Sequence, residues 1–260
     1  MNSSLTSLLA LSVLLTAPQE PEKKSPALNV GGSDQAGGAT VTGIVKFKGE
    51  QPPRDVIKEM TGNAFCKEAC KDNPPPSEKW VFGKNGDQAT FQNVLVHVSK
   101  GLEGKTFTPP ETPVVIDQVK CVYTPHVVAV MAGQPLEIRN SDEILHNVLA
   151  NPRNNAPFNE GMPSAGTKIV KTFKTPEMKL DLRCFMHPWM VGYVHVMAHP
   201  YYAVTQTDGT FTIKGLPPGE YELSVVHESS RFAAEPATVA VKVAAGETKK
   251  IEFTYELRKN

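Results

Sequence analysis

The sequence predicts an all-β protein built from β-sandwiches, and three observations carry that prediction. Apolar runs are short, of strand length, and several alternate with period two, as in Thr40 to Lys48 (TVTGIVKFK). Turn formers punctuate them throughout, with 19 Gly and 22 Pro in 260 residues. No long amphipathic helical pattern interrupts them.

The elements follow in order. Ser7 to Ala17 (SLLALSVLLTA) has the length of a signal h-region and is too short to span a bilayer. No Lys or Arg precedes it and Pro18 follows it, so an apolar starting helix is the other reading. Residues 1–17 are read as a signal peptide and 18–39, polar and rich in Pro and Gly, as a disordered linker. A strand over Thr40 to Lys48 ends at Gly49 and Pro52-Pro53. Val56 to Gly86 is irregular, and Asn93 to Ser99 is a strand. Strands then follow at Val114 to Asp117, Val127 to Met131 and Pro135 to Arg139. Asn151 to Gly166 reads as a long loop. Lys168 to Phe173, Lys179 to Arg183 and Met190 to Met197 are strands, and five more short strands run from Ala203 to Tyr255 between Gly and Pro turns.

Lys plus Arg is 27 and Asp plus Glu is 27, so the formal net charge is zero. That lacks the basic footprint of nucleic-acid binders, and no like-charge run marks a membrane patch. No transmembrane segment is expected in the mature chain.

The chemistry concentrates in Cys184-Phe185-Met186-His187-Pro188-Trp189-Met190, where a thiol, an imidazole and a thioether lie within seven residues. A type 1 copper site needs that set plus a second imidazole, with two His and the Cys in a plane and a long axial Met. Between two strands, a tight loop stiffened by Pro188 can turn all three side chains inward. His146, after the turn Asn140-Ser141-Asp142, is the candidate second imidazole.

The segment from about Pro113 to His199 resembles the cupredoxin family, of the plastocyanin and amicyanin type. The family pattern G-x-x-(apolar)-x-(apolar)-x-N-x-D-x-x-x-H followed by C-x-x-H-x-x-M is met by Gly133, Asn140, Asp142, His146, Cys184, His187 and Met190. The resemblance implies one type 1 copper held by His146, Cys184, His187 and Met190, with the Asn147 backbone donating to the Cys sulfur. It implies a one-electron carrier rather than an enzyme. It also implies a surface-exposed His187 edge, with Pro188 and Trp189 extending an apolar ring on which a redox partner protein docks. The only near-spaced histidines, His195 and His199, lack the His-x-His spacing of multicopper sites, and one Cys in the loop excludes a dinuclear centre.

A second resemblance lies in Thr207-Asp208-Gly209-Thr210-Phe211-Thr212-Ile213-Lys214-Gly215-Leu216-Pro217-Pro218-Gly219-Glu220-Tyr221-Glu222-Leu223, which is similar to carboxypeptidase-regulatory-like, transthyretin-like sandwiches. The opening motif of such modules stands far upstream, at Gly43 to Pro52. The expected architecture is therefore a cupredoxin Greek-key sandwich at 113–199, inserted in a discontinuous sandwich of 40–112 plus 200–258; a tandem arrangement is the alternative. The whole resembles exported bacterial proteins of the methylamine-utilisation type, which implies a periplasmic or cell-envelope location.

With Cys184 on copper, Cys66, Cys70 and Cys121 remain. Cys121 can pair with either of the others, Cys66 can pair with Cys70, and Cys66, Cys70 and His126 could form a second metal site. His227-Glu228 reads as ordinary surface. The competing function is a non-redox envelope protein whose outer sandwich binds a glycan or a protein, with copper structural, stored or lost.

Overall fold

The computed structural model describes residues 37–258. The expected signal peptide, and all of the expected linker up to residue 36, lie outside the described residues. The chain is nearly all β, as predicted.

Its strands come in three stretches. The first holds β1 (Ala39–Lys48), β2 (Phe82–Asn85), β3 (Gln88–Phe91) and β4 (Leu95–Lys100). The second holds β5 (Val114–Val119), β6 (Val122–Thr124), β7 (Val127–Met131), β8 (Pro135–Asn140), β9 (His146–Ala150), β10 (Phe158–Met162), β11 (Lys168–Thr172), β12 (Glu177–Arg183) and β13 (Val191–Met197). The third holds β14 (Tyr202–Val204), β15 (Thr210–Leu216), β16 (Gly219–Val226), β17 (Phe232–Ala234), β18 (Thr238–Val243) and β19 (Thr248–Leu257).

Strands of the first and third stretches share two sheets. One runs β17-β19-β1-β3-β2, with β15 also on β1, and the other runs β14-β4-β16-β18. β1 is their keystone, because it pairs parallel to β19 along nine residues and antiparallel to β15 and β3. Its alternation places Ala39, Val41, Val45 and Phe47 in a core with Phe91, Phe211, Leu223 and Phe253. Strands of the second stretch form two other sheets, β10-β9-β12-β13-β7 and β11-β8-β5-β6. Between these lies a second core with Ile116, Leu136, Ile138, Val148, Leu182 and Val194.

A third cluster joins the two units: Leu95, Tyr202 and Val204 pack on Val127, Ala129, Met131 and Met197. The two sandwiches therefore meet through an apolar seam of β4 and β14 on β7 and β13. The His126 ring and the Glu228 carboxylate, both buried, pair at 2.7 Å across the boundary. His227 is buried as well, stacked on Phe91. The reading of His227-Glu228 as surface is corrected: the Glu228 side chain is buried at the boundary and the His227 ring against the first core.

Two further differences bear on the site. Within the stretch read as a loop, Phe158–Met162 forms β10 on the edge of the sheet, paired antiparallel to β9. The irregular segment 53–80 folds over the second sandwich. A 3-10 helix (Lys58–Gly62) and the one-turn helix α1 (Ala64–Ala69) plant Met60 and Cys66, both fully buried, in the same core as Cys184 and Met190. Arg54 holds the ends of this cap together by bonding the carbonyls of Ser77 (2.8 Å) and Pro76 (3.1 Å). Among the described residues, no helix is long and apolar enough to cross a membrane.

Candidate metal centre

The site forms where two loops meet at one end of the second sandwich. The first follows β8. Gly133, at φ +92, makes the turn that feeds β8, a backbone conformation that favours glycine. At the other end of β8, Asn140 shapes the next turn. Its side-chain amide donates to the carbonyls of Ile144 (3.0 Å) and Met162 (2.9 Å), and its oxygen accepts from the Asp142 amide (2.9 Å). Asp142 is thereby turned inward, and its carboxylate accepts from the backbone amides of Lys120 (2.6 Å) and Cys121 (2.8 Å) and from His146 Nε2 (3.0 Å). His146 opens β9 and is fully buried.

The second loop joins β12 to β13, whose last and first residues, Arg183 and Val191, pair antiparallel. The Met190 amide donates to the His187 carbonyl (2.8 Å) and the Cys184 amide to the Met190 carbonyl (3.3 Å), so the loop closes on itself. Cys184, His187 and Met190 point in, while Phe185 and Met186 are 66% and 55% exposed.

The donor atoms converge. His146 Nδ1 lies 2.9 Å from His187 Nδ1, and the Cys184 sulfur lies 3.9 and 3.7 Å from those nitrogens. Ligands on one ion at ~2.0–2.3 Å are themselves ~3–4 Å apart, so the spacing fits a metal. The proton of a neutral His146 is committed through Nε2 to Asp142, which leaves the Nδ1 lone pair facing the other donors. Burial opposes ionisation of Cys184, but bonds from His146, His187 and the Asn147 and His187 backbones outweigh it and push the thiol down to about 6. For His146, burial disfavours the charged ring, and the bonds to Asp142 and Cys184 more than offset it, so its pKa is raised. Met190 is buried in the same apolar cluster as Cys184. A buried thiolate, two imidazoles and a thioether suit copper better than a hard cation.

Asn147 does two things at the site. Besides the backbone bond, its side-chain oxygen accepts from the Phe185 amide at 2.7 Å and lies 3.4 Å from the Cys184 sulfur. It thus ties the two loops to each other.

His187 is only 2% exposed, which corrects the expectation of a surface-facing imidazole edge. Its Nε2 lies 3.3 Å from the amide nitrogen of Asn63, the N-cap of α1, whose oxygen accepts from the Cys66 amide. Cys66 is joined to Cys121 by a disulfide, which straps the cap over the ring. Trp189 is half-buried against His187, ring centroids 5.2 Å apart, and donates to the Cys121 carbonyl at 3.0 Å. Of the ring expected around His187, only Pro188 is exposed.

The Cys66, Cys70 and His126 grouping is not formed. Cys66 is in the disulfide, Cys70 is a free thiol bonded to the Lys67 carbonyl, and His126 belongs to Glu228. Asp142 and Asn63 are the two site residues whose roles sequence reasoning missed. Asp142 precedes His146 by one helical turn's spacing inside a recognisable motif; Asn63 carries no such signal.

No family model and no curated protein matches the chain. Solved structures match part of it. A Cu-containing nitrite reductase from Thermus scotoductus SA-01 is 22% identical with a TM-score of 0.31, covering 38% of this chain and 25% of the reductase. A purple cupredoxin from Nitrosopumilus maritimus is 25% identical with a TM-score of 0.26, covering 29% of this chain and 82% of that one. An oxidised variant of amicyanin is 25% identical with a TM-score of 0.30, covering 33% and 82%. The chain is similar to these proteins over a minority of its length, and what it can bind follows from its own donor atoms.

Proposed function

We propose that this chain is an exported copper protein with one type 1 site, held by His146, Cys184, His187 and Met190, and that it carries single electrons rather than catalysing a reaction. The observation that supports this best is the buried convergence of two Nδ1 atoms and one thiol, with the proton of one imidazole fixed away from the site by Asp142. When bound, copper would supply a centre that gains and loses one electron. The chain's own residues hold the donors in place, so little need move between the two states. Asp142 orients His146, Asn147 locks loop to loop, and the capped apolar core keeps water out.

In this reading the 113–199 sandwich is a cupredoxin domain inserted in a carboxypeptidase-regulatory-like one. The sheets shared by strands before 114 and after 200 support insertion over tandem order. A redox partner protein docks on the exposed ligand loop, at Phe185, Met186 and Pro188, because the cap covers the His187 edge.

The test is an absorption spectrum of the protein after Cu(II) is added and excess metal removed. An intense red-region band, lost in Cys184→Ala, is expected from thiolate-to-copper charge transfer. The closed cover on His187 favours a second reading, in which copper is stored or structural and the outer sandwich binds a glycan or envelope protein. Stoichiometric copper without colour would select that reading.

A further inference from the structure

Beside the proposed copper ligands lies a second group of soft donors. Cys66 on α1 and Cys121 in the β5–β6 turn are both fully buried, with Cα atoms 5.7 Å apart. Their sulfurs and one ring nitrogen of His187 all lie within 4.8 Å of one another. The Cys121 sulfur is also within 4.8 Å of donor atoms of Asp142 and His146. The disulfide is therefore adjacent to the site already described rather than a remote staple. The His187 ring turns a different nitrogen to each side. Nδ1 faces Cys184 and His146, while Nε2 faces Asn63, at the start of the helix that carries Cys66.

We propose that Cys66, Cys121 and His187 form a second metal site, for copper(I), once the disulfide between the two cysteines is reduced. The electrons come from a dithiol. One thiolate of the reductant attacks a disulfide sulfur and the S–S bond breaks. The mixed disulfide is then resolved by the reductant's second thiol, which leaves as its own disulfide. Two electrons and two protons have passed to the cysteine pair. Access requires local opening of the cap, whose helical part is one 3-10 segment and one six-residue helix. Copper(I) then displaces the thiol protons and takes two thiolates and an imidazole nitrogen, a soft set that suits this ion. Two thiolates on one ion stand ~4 Å apart, a separation that side-chain rotation reaches from cysteines at this spacing. Cys66 and Cys121 belong to the same apolar core as Met60, Ile116 and Tyr123. Cys70 stays outside the set, half-buried and bonded to Lys67.

The second site shares His187 with the proposed type 1 site but needs neither Cys184 nor copper there, so the decisive chain is Cys184→Ala. That chain, reduced with a dithiol and freed of it without oxygen, is titrated with copper(I) against a chromophoric chelator, beside its disulfide-bonded form. One tightly held copper(I) is expected in the reduced form and none in the oxidised form. Adding Cys66→Ser and Cys121→Ser should abolish that uptake, while adding Cys70→Ser should leave it. Equal uptake in both redox states, or reductant-dependent uptake that survives loss of Cys66 and Cys121, overturns the proposal. Loss of the near-ultraviolet circular dichroism on reduction overturns it too, because the site requires the folded chain. The type 1 reading fails separately, in the oxidised wild-type chain that takes up no copper.

Discussion

At the scale of single residues, Asp142 does the most with one side chain. Its two oxygens fix the turn at Lys120 and Cys121 and the tautomer of His146 together. Asp142→Asn keeps the shape but exchanges an acceptor oxygen for a donor and removes the charge that draws the His146 proton outward. Partners of this kind are worth about 10–100-fold in metal affinity. We expect Asp142→Asn to weaken copper binding by that order, measured by chelator competition, and unchanged affinity would show that His146 needs no orienting partner. The ligand residues themselves were legible in the sequence because three of the four lie in one seven-residue loop and the chemistry of copper dictates their types. The companions were not. Asn63 reaches His187 across 124 positions of sequence, and nothing in a lone asparagine announces such a contact.

At the scale of elements, strands with strict alternation could be read directly. β8 alternates half-buried and buried residues along its whole length, and β1 does so at both ends. β10 could not, because Phe-Asn-Glu-Gly-Met is rich in turn formers; it becomes a strand by pairing with β9 at the sheet edge. α1 is too short to show periodicity and is held by its Asn63 cap and the Cys66 disulfide. The ligand loop is the element that meets solvent next to the site. Phe185 adjoins Cys184 in the chain, so this face offers the shortest covalent path to the proposed centre. We expect Met186→Glu to slow electron self-exchange between oxidised and reduced copies at low salt, by mutual repulsion of the docking faces. An unchanged exchange rate, with an unchanged visible spectrum, would move the docking surface elsewhere.

At the scale of the whole molecule, folding withdraws three histidines from water: His195 and His227 are buried and His199 is half-buried. Burial pushes His195 and His227 down to about 3 and His199 down to about 4, with nearby His97, His126 and Lys179 adding to one or more of these shifts. Such rings stay neutral in the folded chain while their unfolded counterparts protonate below about 6.5. Their share of the stability is thus complete above that pH and is lost as pH falls from about 6.5 towards 3. The slope is at most about 1.4 kcal/mol per pH unit for each ring. His126 works in the other sense: burial disfavours its charge, Glu228 outweighs this, and its raised pKa adds stability in acid. We expect urea unfolding to show stability falling more steeply below about pH 6 in the wild type than in His195→Gln. Parallel pH profiles for the two chains would show that His195 protonates freely in the folded state. Little of this was visible in the sequence, where His227 read as ordinary surface; the fold packs its ring on Phe91, Phe232 and Tyr255.

X-ray absorption at the copper edge on the oxidised, copper-loaded wild-type chain reads the donor set of the bound copper itself. One short copper–sulfur contact with two imidazole nitrogens is expected, with loss of that sulfur in Cys184→Ala. A shell of nitrogen and oxygen alone, or one unchanged by Cys184→Ala, would contradict the type 1 site.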